Sequence, residues 1–251
     1  NLKIYIIMNL LKINKLIKKI ENQKLITLDI NLKKKDFKDN YINFGFLNEN
    51  DILININKKI YIIINKTSYR ISCIFKNDIE YIQSEYYLHN PEKYLSKYIK
   101  FLMEETKYID NIFQKKCLII GLGLGNIPNA LISKYKDTIN RIDCIDINYI
   151  LCKFFSKYLS VSNKIHVYCE NAINYIKNTN KKYHLISIDI PCKLLTKKFI
   201  KLVNQISEND RIIQFNIIGE ECSKINFLNL FKKFKLLKYK IINQNNLYIL
   251  Q

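Results

Sequence analysis

Tryptophan is absent from this 251-residue chain, and proline and histidine occur only three times each, glycine five times. Such scarcity of Gly and Pro excludes collagen-like and Pro/Gly-rich disordered chains. Three dispersed histidines, with seven cysteines at 73, 117, 144, 152, 169, 192 and 222 that never pair as Cys-x-x-Cys, exclude a zinc site by spacing, so no metal is expected. The odd cysteine count argues against a disulfide framework and for reduced thiols in the cytoplasm. Long apolar runs are missing too. Residues 1–20 mix Ile, Leu and Lys, far short of the ~18 apolar residues that mark a membrane span. No small-residue cleavage site follows, so neither a membrane association nor a signal peptide is expected. Acidic residues are outnumbered, 22 against 41 Lys and Arg, for a net charge of +19. That excess leaves open a polyanionic partner such as RNA. The lysines are nevertheless spread along the chain, with small clusters at Lys33-Lys34-Lys35, Lys197-Lys198 and Lys232-Lys233, a pattern that reads equally as compositional bias.

What is present is apolar and ordered in pattern. Hydrophobic residues make up 48% of the chain, enough for a sizeable core. Residues 1–20 read as an amphipathic helix and 25–32 as a strand. Ile-rich runs at 51–57 and 60–65 flank Lys58-Lys59, and 69–75 and 79–83 flank Lys76-Asn77-Asp78. Both pairs read as hairpins of a small antiparallel β domain over 1–90. Asn90 and Pro91 suit an N-cap and first helical position. Tyr94, Leu95, Tyr98, Phe101 and Leu102 then recur at helical spacing and are read mostly as core.

From residue 116 strand and helix patterns alternate. Strands are expected at 117–121, 141–146, 164–168, 183–189 and 210–217. Helices are expected at 126–135, 149–159, 171–178, 194–206 and 222–235. Such alternation implies a parallel sheet with helices on both faces. The segments 236–242 and 247–250 leave no room for a crossover and read as a closing hairpin. The expectation is an α/β fold over 91–251: a class I methyltransferase-like Rossmann sheet, parallel with a C-terminal antiparallel hairpin, behind the small antiparallel β domain.

Three of the five glycines stand at alternate positions, Gly121, Gly123 and Gly125, directly after the apolar run Cys117–Ile120. Glycine permits a sharp turn and close approach of backbone to ligand. The dinucleotide pattern G-x-G-x-x-G is not met, because its sixth position is Asn126. The G-x-G-x-G form favours an S-adenosylmethionine-type ligand over NAD. Asp146 ends the next strand about 25 residues on, near the interval at which a carboxylate takes ribose hydroxyls; it reads otherwise as a helix-terminal charge. Asn171 ends the third strand, facing adenine or capping the next helix. Asp189 ends the fourth, as general base, ammonium holder or turn cap.

The run Tyr69-Arg70-Ile71, Asp78 to Ser84, Asn90-Pro91, Tyr98 and the glycine motif resembles the spermidine synthase family, and more closely its divergent spermidine-synthase-like branch. The resemblance spans roughly residues 68–217. It implies an aminopropyl transferase using decarboxylated S-adenosylmethionine, and a homodimer. By that resemblance Gln83 contacts the aminopropyl or methionine part of the donor, Gly121–Gly125 form the glycine loop, and Asp146 binds ribose. Asn171-Ala172 contact adenine, and Asp189 is the catalytic aspartate. The chain departs from the family at Leu124, where an acid is expected, and lacks both the Tyr-His-Glu motif and the second acid after Asp189. That second acid would neutralise a diamine, so methyl transfer from S-adenosylmethionine, onto RNA or another acceptor, and an inactive binding protein stand as alternatives.

Overall fold

The computed structural model describes residues 2–21, 51–57, 60–65, 70–76, 80–87, 97–106, 114–191, 194–218, 234–242 and 245–251. The strand expected at 25–32, residues 222–233 of the helix expected at 222–235, and the Asn90-Pro91 helix start lie outside them; Lys235, at the end expected for that helix, instead exchanges backbone hydrogen bonds with Gln251.

Helix α1 (Leu2–Glu21) leads into a four-stranded antiparallel sheet, β1 (Asp51–Asn57), β2 (Ile60–Asn65), β3 (Arg70–Lys76) and β4 (Glu80–Tyr87), paired in sequence order. Helix α2 (Lys97–Glu104) follows, then β5 (Lys115–Ile120), α3 (Asn126–Tyr135), β6 (Ile139–Asp146) and α4 (Tyr149–Phe154), which runs into a π-helical turn, Phe155–Leu159. The chain continues through β7 (Ile165–Cys169), α5 (Ala172–Asn178), β8 (Tyr183–Asp189), α6 (Lys197–Gln205), β9 (Ser207–Ile218), β10 (Leu236–Ile242) and β11 (Asn245–Leu250). The second sheet has the order β10-β11-β9-β8-β5-β6-β7. β5 to β9 pair in parallel, while β11 runs antiparallel to β9 and to β10. The expected plan is therefore the observed one. No described helix is long and apolar enough to cross a membrane.

Alternation along the strands builds a core on each face. Cys117 and Ile119 of β5 join an apolar cluster with residues of α2, α3 and α4, whereas Leu118 and Ile120 point into one with α5 and α6. Ile62, Ile64, Ile71 and Tyr86 of the first sheet belong to the former cluster. Buried Asn129 of α3 joins three segments. Its amide donates to the Tyr86 hydroxyl (2.9 Å) and the Leu159 carbonyl (2.9 Å), and its Oδ1 accepts from the Val161 N–H (3.3 Å). A buried amide satisfied in this way specifies one arrangement of its neighbours.

The helix expected at 149–159 is α-helical only to Phe154. Ser160 N–H then bonds the carbonyl of Phe155, five residues back, at 2.9 Å. This places the Phe155 ring where a Cβ on Gly125 would lie 1.9 Å from it. Gly125 also has φ +77°, a conformation few L-residues adopt. Gly125→Ala is expected to lower unfolding free energy by about 2–4 kcal/mol in urea denaturation, combining strain and overpacking.

Candidate functional site

The order of the parallel strands reverses beside β5, which has β6 on one side and β8 on the other. Such a reversal opens a crevice at the carboxyl ends of the strands. Here it is a cavity of about 360 Å³, whose walls include Gly121, Gly123, Asp146, Asn171 and Asp189. Five residues singled out from sequence thus meet in one place. Gly125 does not line it; it stands at the N-terminus of α3 against Phe155. Its glycine answers a packing demand, which spacing cannot separate from ligand contact. Gln83 lies in β4 at a β-bulge: Cys73 faces Ser84 and Ile74 faces Ile82, leaving Gln83 the extra residue. Bulges gather beside functional sites, and the next residue, Ser84, lines the crevice.

The glycines act through the backbone. At Gly121, φ +92°, a Cβ would sit 2.0 Å from the Asp189 carbonyl oxygen, so glycine lets the end of β5 run against the end of β8. The loop after it is held by Asp146. Oδ2 accepts the N–H of Leu122 (2.8 Å) and Gly123 (3.4 Å), and Oδ1 that of Asn148 (2.8 Å). The Leu124 N–H goes to Ser84 Oγ (3.3 Å), and the Gly125 N–H to the Leu122 carbonyl (2.9 Å). Four successive loop N–H groups are therefore used internally and form no nest for a pyrophosphate. Asp146 lines the crevice, and its Oδ1 has one lone pair beyond the one that meets the Asn148 N–H.

The β4–loop seam is extended by Asn126, whose amide donates to the Glu85 carbonyl (2.6 Å) and to Ser84 Oγ (3.3 Å). Asn171 caps α5, its Oδ1 accepting from the Ile173 N–H at 2.9 Å, and also lines the crevice. The cap reading of that residue is thus observed, and its place in the crevice wall puts it among the lining residues.

Asp189 occupies the opposite wall. Tyr98 hydroxyl donates to Oδ2 (3.1 Å) and Asn216 amide to Oδ1 (2.9 Å). Burial pushes its carboxyl up to about 6; the two hydrogen bonds pull it down, and the Asp146 charge adds an upward push. The Tyr98 phenol is raised well above its ordinary value by burial and then by Asp189, so it stays a donor. Of the described residues at helical spacing, Phe101 and Leu102 are core, and Tyr98 is the one that also reaches the site. It packs against the core, but its hydroxyl reaches across 91 residues of sequence. Asn216, Ser84, Asn148 and Glu170 also carry no local signal, yet the last three line the crevice.

A sheet of this order with a closing hairpin and a crevice at its switch point defines the class I methyltransferase fold. The fold matches spermidine synthase from Thermotoga maritima at TM-score 0.56, with 15% identity over 80% of this chain and 71% of that one. It also matches yhhF of Escherichia coli, a proposed methyltransferase, at TM-score 0.50, with 15% identity over 62% and 84%. In sequence, 113 residues are 27% identical to the polyamine aminopropyltransferase of Vibrio vulnificus (strain CMCP6), covering 41% of this chain and 37% of that relative's length. No protein-family profile matches. The chain thus resembles transferases of the spermidine synthase type within the class I methyltransferase superfamily.

Removing one of the two donors to Asp189 has a defined sign. In Tyr98→Phe, Asp189 is expected to titrate above 6 by carboxyl-carbon NMR, because a bond that favours the charged form is gone. The raised value also sets a stability profile. The folded state holds the proton more tightly than the unfolded chain, whose ordinary value is 3.8. The stabilisation from the acid form is complete below about 3.8 and lost as pH rises through about 6. Relative to Asp189→Asn, the native chain is expected to lose stability between those pH values and then level off, as read by denaturation at each pH.

Proposed function

We propose that this chain is a transferase that takes an alkyl group from S-adenosylmethionine or its decarboxylated form, with Asp189 as the base for an amine acceptor. The observation that carries this reading is the pairing of two carboxylates across the glycine turn. Asp146 is fixed by backbone N–H groups on one wall, and Asp189 is buried and raised to about 6 on the other. The backbone bonds suit Asp146 to hold a ligand, and a buried carboxyl near 6 suits Asp189 to take a proton near neutral pH.

In the reaction, the amine nitrogen attacks the carbon bonded to the donor's sulfonium. The carbon–sulfur bond breaks, its electron pair stays on sulfur, and a neutral thioether leaves. The nitrogen gains a positive charge and loses a proton to Asp189. Tyr98 and Asn216 hold both carboxylate oxygens in place, which fixes the direction of approach. Asp146 would take a ribose hydroxyl, Gly121 and Gly123 would lie under the donor, and Asn171 would face its base. Gln83 would reach the aminopropyl or methionine end.

Aminopropyl transfer is supported by the antiparallel sheet seated on the glycine loop through Ser84 and Asn126. Leu124 in the loop and the missing acid after Asp189 favour the second reading, methyl transfer from S-adenosylmethionine. A diamine would be left without a counter-charge there, at a cost of several kcal/mol.

Calorimetry with the two donors separates the readings: tighter binding of the decarboxylated form marks aminopropyl transfer, of the intact form methyl transfer. Binding of neither removes the transferase proposal. Asp189→Asn is expected to abolish turnover while donor affinity stays within about threefold, and Asp146→Asn to weaken donor binding about 10- to 100-fold, the range for a hydrogen bond to a charged acceptor.

A further inference from the structure

A second cavity, of about 410 Å³, opens at the amino-terminal edge of the parallel strands, the edge opposite the donor crevice. It is lined by Lys116, Arg141, Lys164, His166 and Lys181 with two asparagines. No carboxylate and no apolar side chain line it among the described residues. Register brings the cations together. Lys116 on β5 pairs with Arg141 on β6, and His166 on β7 pairs with Asp143 on β6, two residues on from Arg141 and so on the same sheet face.

Three of the four cations are held in place from behind. Asp143, wholly buried, accepts from Arg141 Nε (2.7 Å) and Lys181 Nζ (3.1 Å), as well as from the Tyr175 (3.0 Å) and Tyr183 (2.7 Å) hydroxyls. Lys164 Nζ donates to the Lys136 and Ile139 carbonyls, each at 2.7 Å. Those carbonyls position its ammonium without cancelling its charge. Four cations thus surround the cavity against one carboxylate sealed beneath it. The field is visible at His166, whose imidazole is held below its ordinary value by burial, then by Arg141 and Lys181, against the opposing pull of Asp143. Here the charges are fixed around a concave surface, which concentrates an anion.

We propose that this basin binds a phosphate-bearing polyanion at a site separate from the donor crevice. Several fixed cations suit several linked phosphates better than one. Its lining offers donors for phosphate oxygens and, beyond the His166 imidazole, no aromatic ring for stacking a base, so recognition is chiefly of the backbone charge. The phosphates could belong to a short polyphosphate chain on a small molecule or to a nucleic-acid strand.

The test titrates inorganic tripolyphosphate, and separately an oligouridylate of about twelve nucleotides, into the full chain by calorimetry at two salt concentrations. At least one ligand is expected to bind, shifting the His166 ring resonances. Lys116→Glu is expected to weaken that binding about tenfold, while the same charge change at exposed Lys198 leaves it within about twofold. Binding of both ligands marks phosphate recognition from either source; binding of the oligonucleotide alone, with a steep salt slope, marks a strand. Binding of neither, or equal loss in the Lys116 and Lys198 variants, overturns the proposal. Should Lys116→Glu fail to fold, Lys116→Gln carries the same comparison with an expected loss of about threefold. Donor binding in the crevice is measured on every variant. Its retention separates failure of this site from failure of the transferase reading.

Discussion

The carboxylate of Asp146 is the constraint on which the site depends. It ends β6 and accepts the backbone N–H groups of Leu122, Gly123 and Asn148. These charge-assisted bonds tie the turn after β5 to the turn after β6. With the N–H groups of Leu124 and Gly125 also used internally, the turn has a fixed shape before any ligand arrives. A loop so committed has no free run of N–H groups to offer a pyrophosphate.

That shape propagates outward. Gly121 brings the end of β5 against the Asp189 carbonyl, and Gly125 admits the Phe155 ring. The π-helical turn that delivers Phe155 is held at its far end by Asn129, which also reaches Tyr86 of the antiparallel sheet. Ser84 and Asn126 complete the seam. The first sheet, the glycine turn and the helix after it therefore form one hydrogen-bonded block, and the crevice lies between that block and Asp189. Buried hydrogen-bonded networks of this kind define a single arrangement where apolar contact alone would tolerate several.

Two anionic centres of the second sheet show how environment divides like groups. Asp189 is raised by burial more than its two neutral donors can offset. Asp143 is buried as well, yet Tyr183, Lys181, Arg141 and Tyr175 outweigh that burial and hold it below the ordinary carboxylate range. One is suited to exchange a proton near neutrality, and the other is a permanent charge that anchors cations.

The strand–helix alternation, the closing hairpin and the crevice-lining residues Gly121, Gly123, Asp146, Asn171 and Asp189 were legible in the chain, because each rests on local periodicity or on a turn that few residues can make. The tertiary structure alone decided that Tyr98 and Asn216 grip Asp189 and that Gly125 serves Phe155. It also decided that the helix expected at 149–159 changes form after Phe154, and that Lys116, Arg141, Lys164 and Lys181 share one basin. The physical reason is range. Periodicity reports which side of an element faces inward, whereas these contacts join positions up to 91 residues apart, and only strand order, register and the packing of helices on the sheet bring them together.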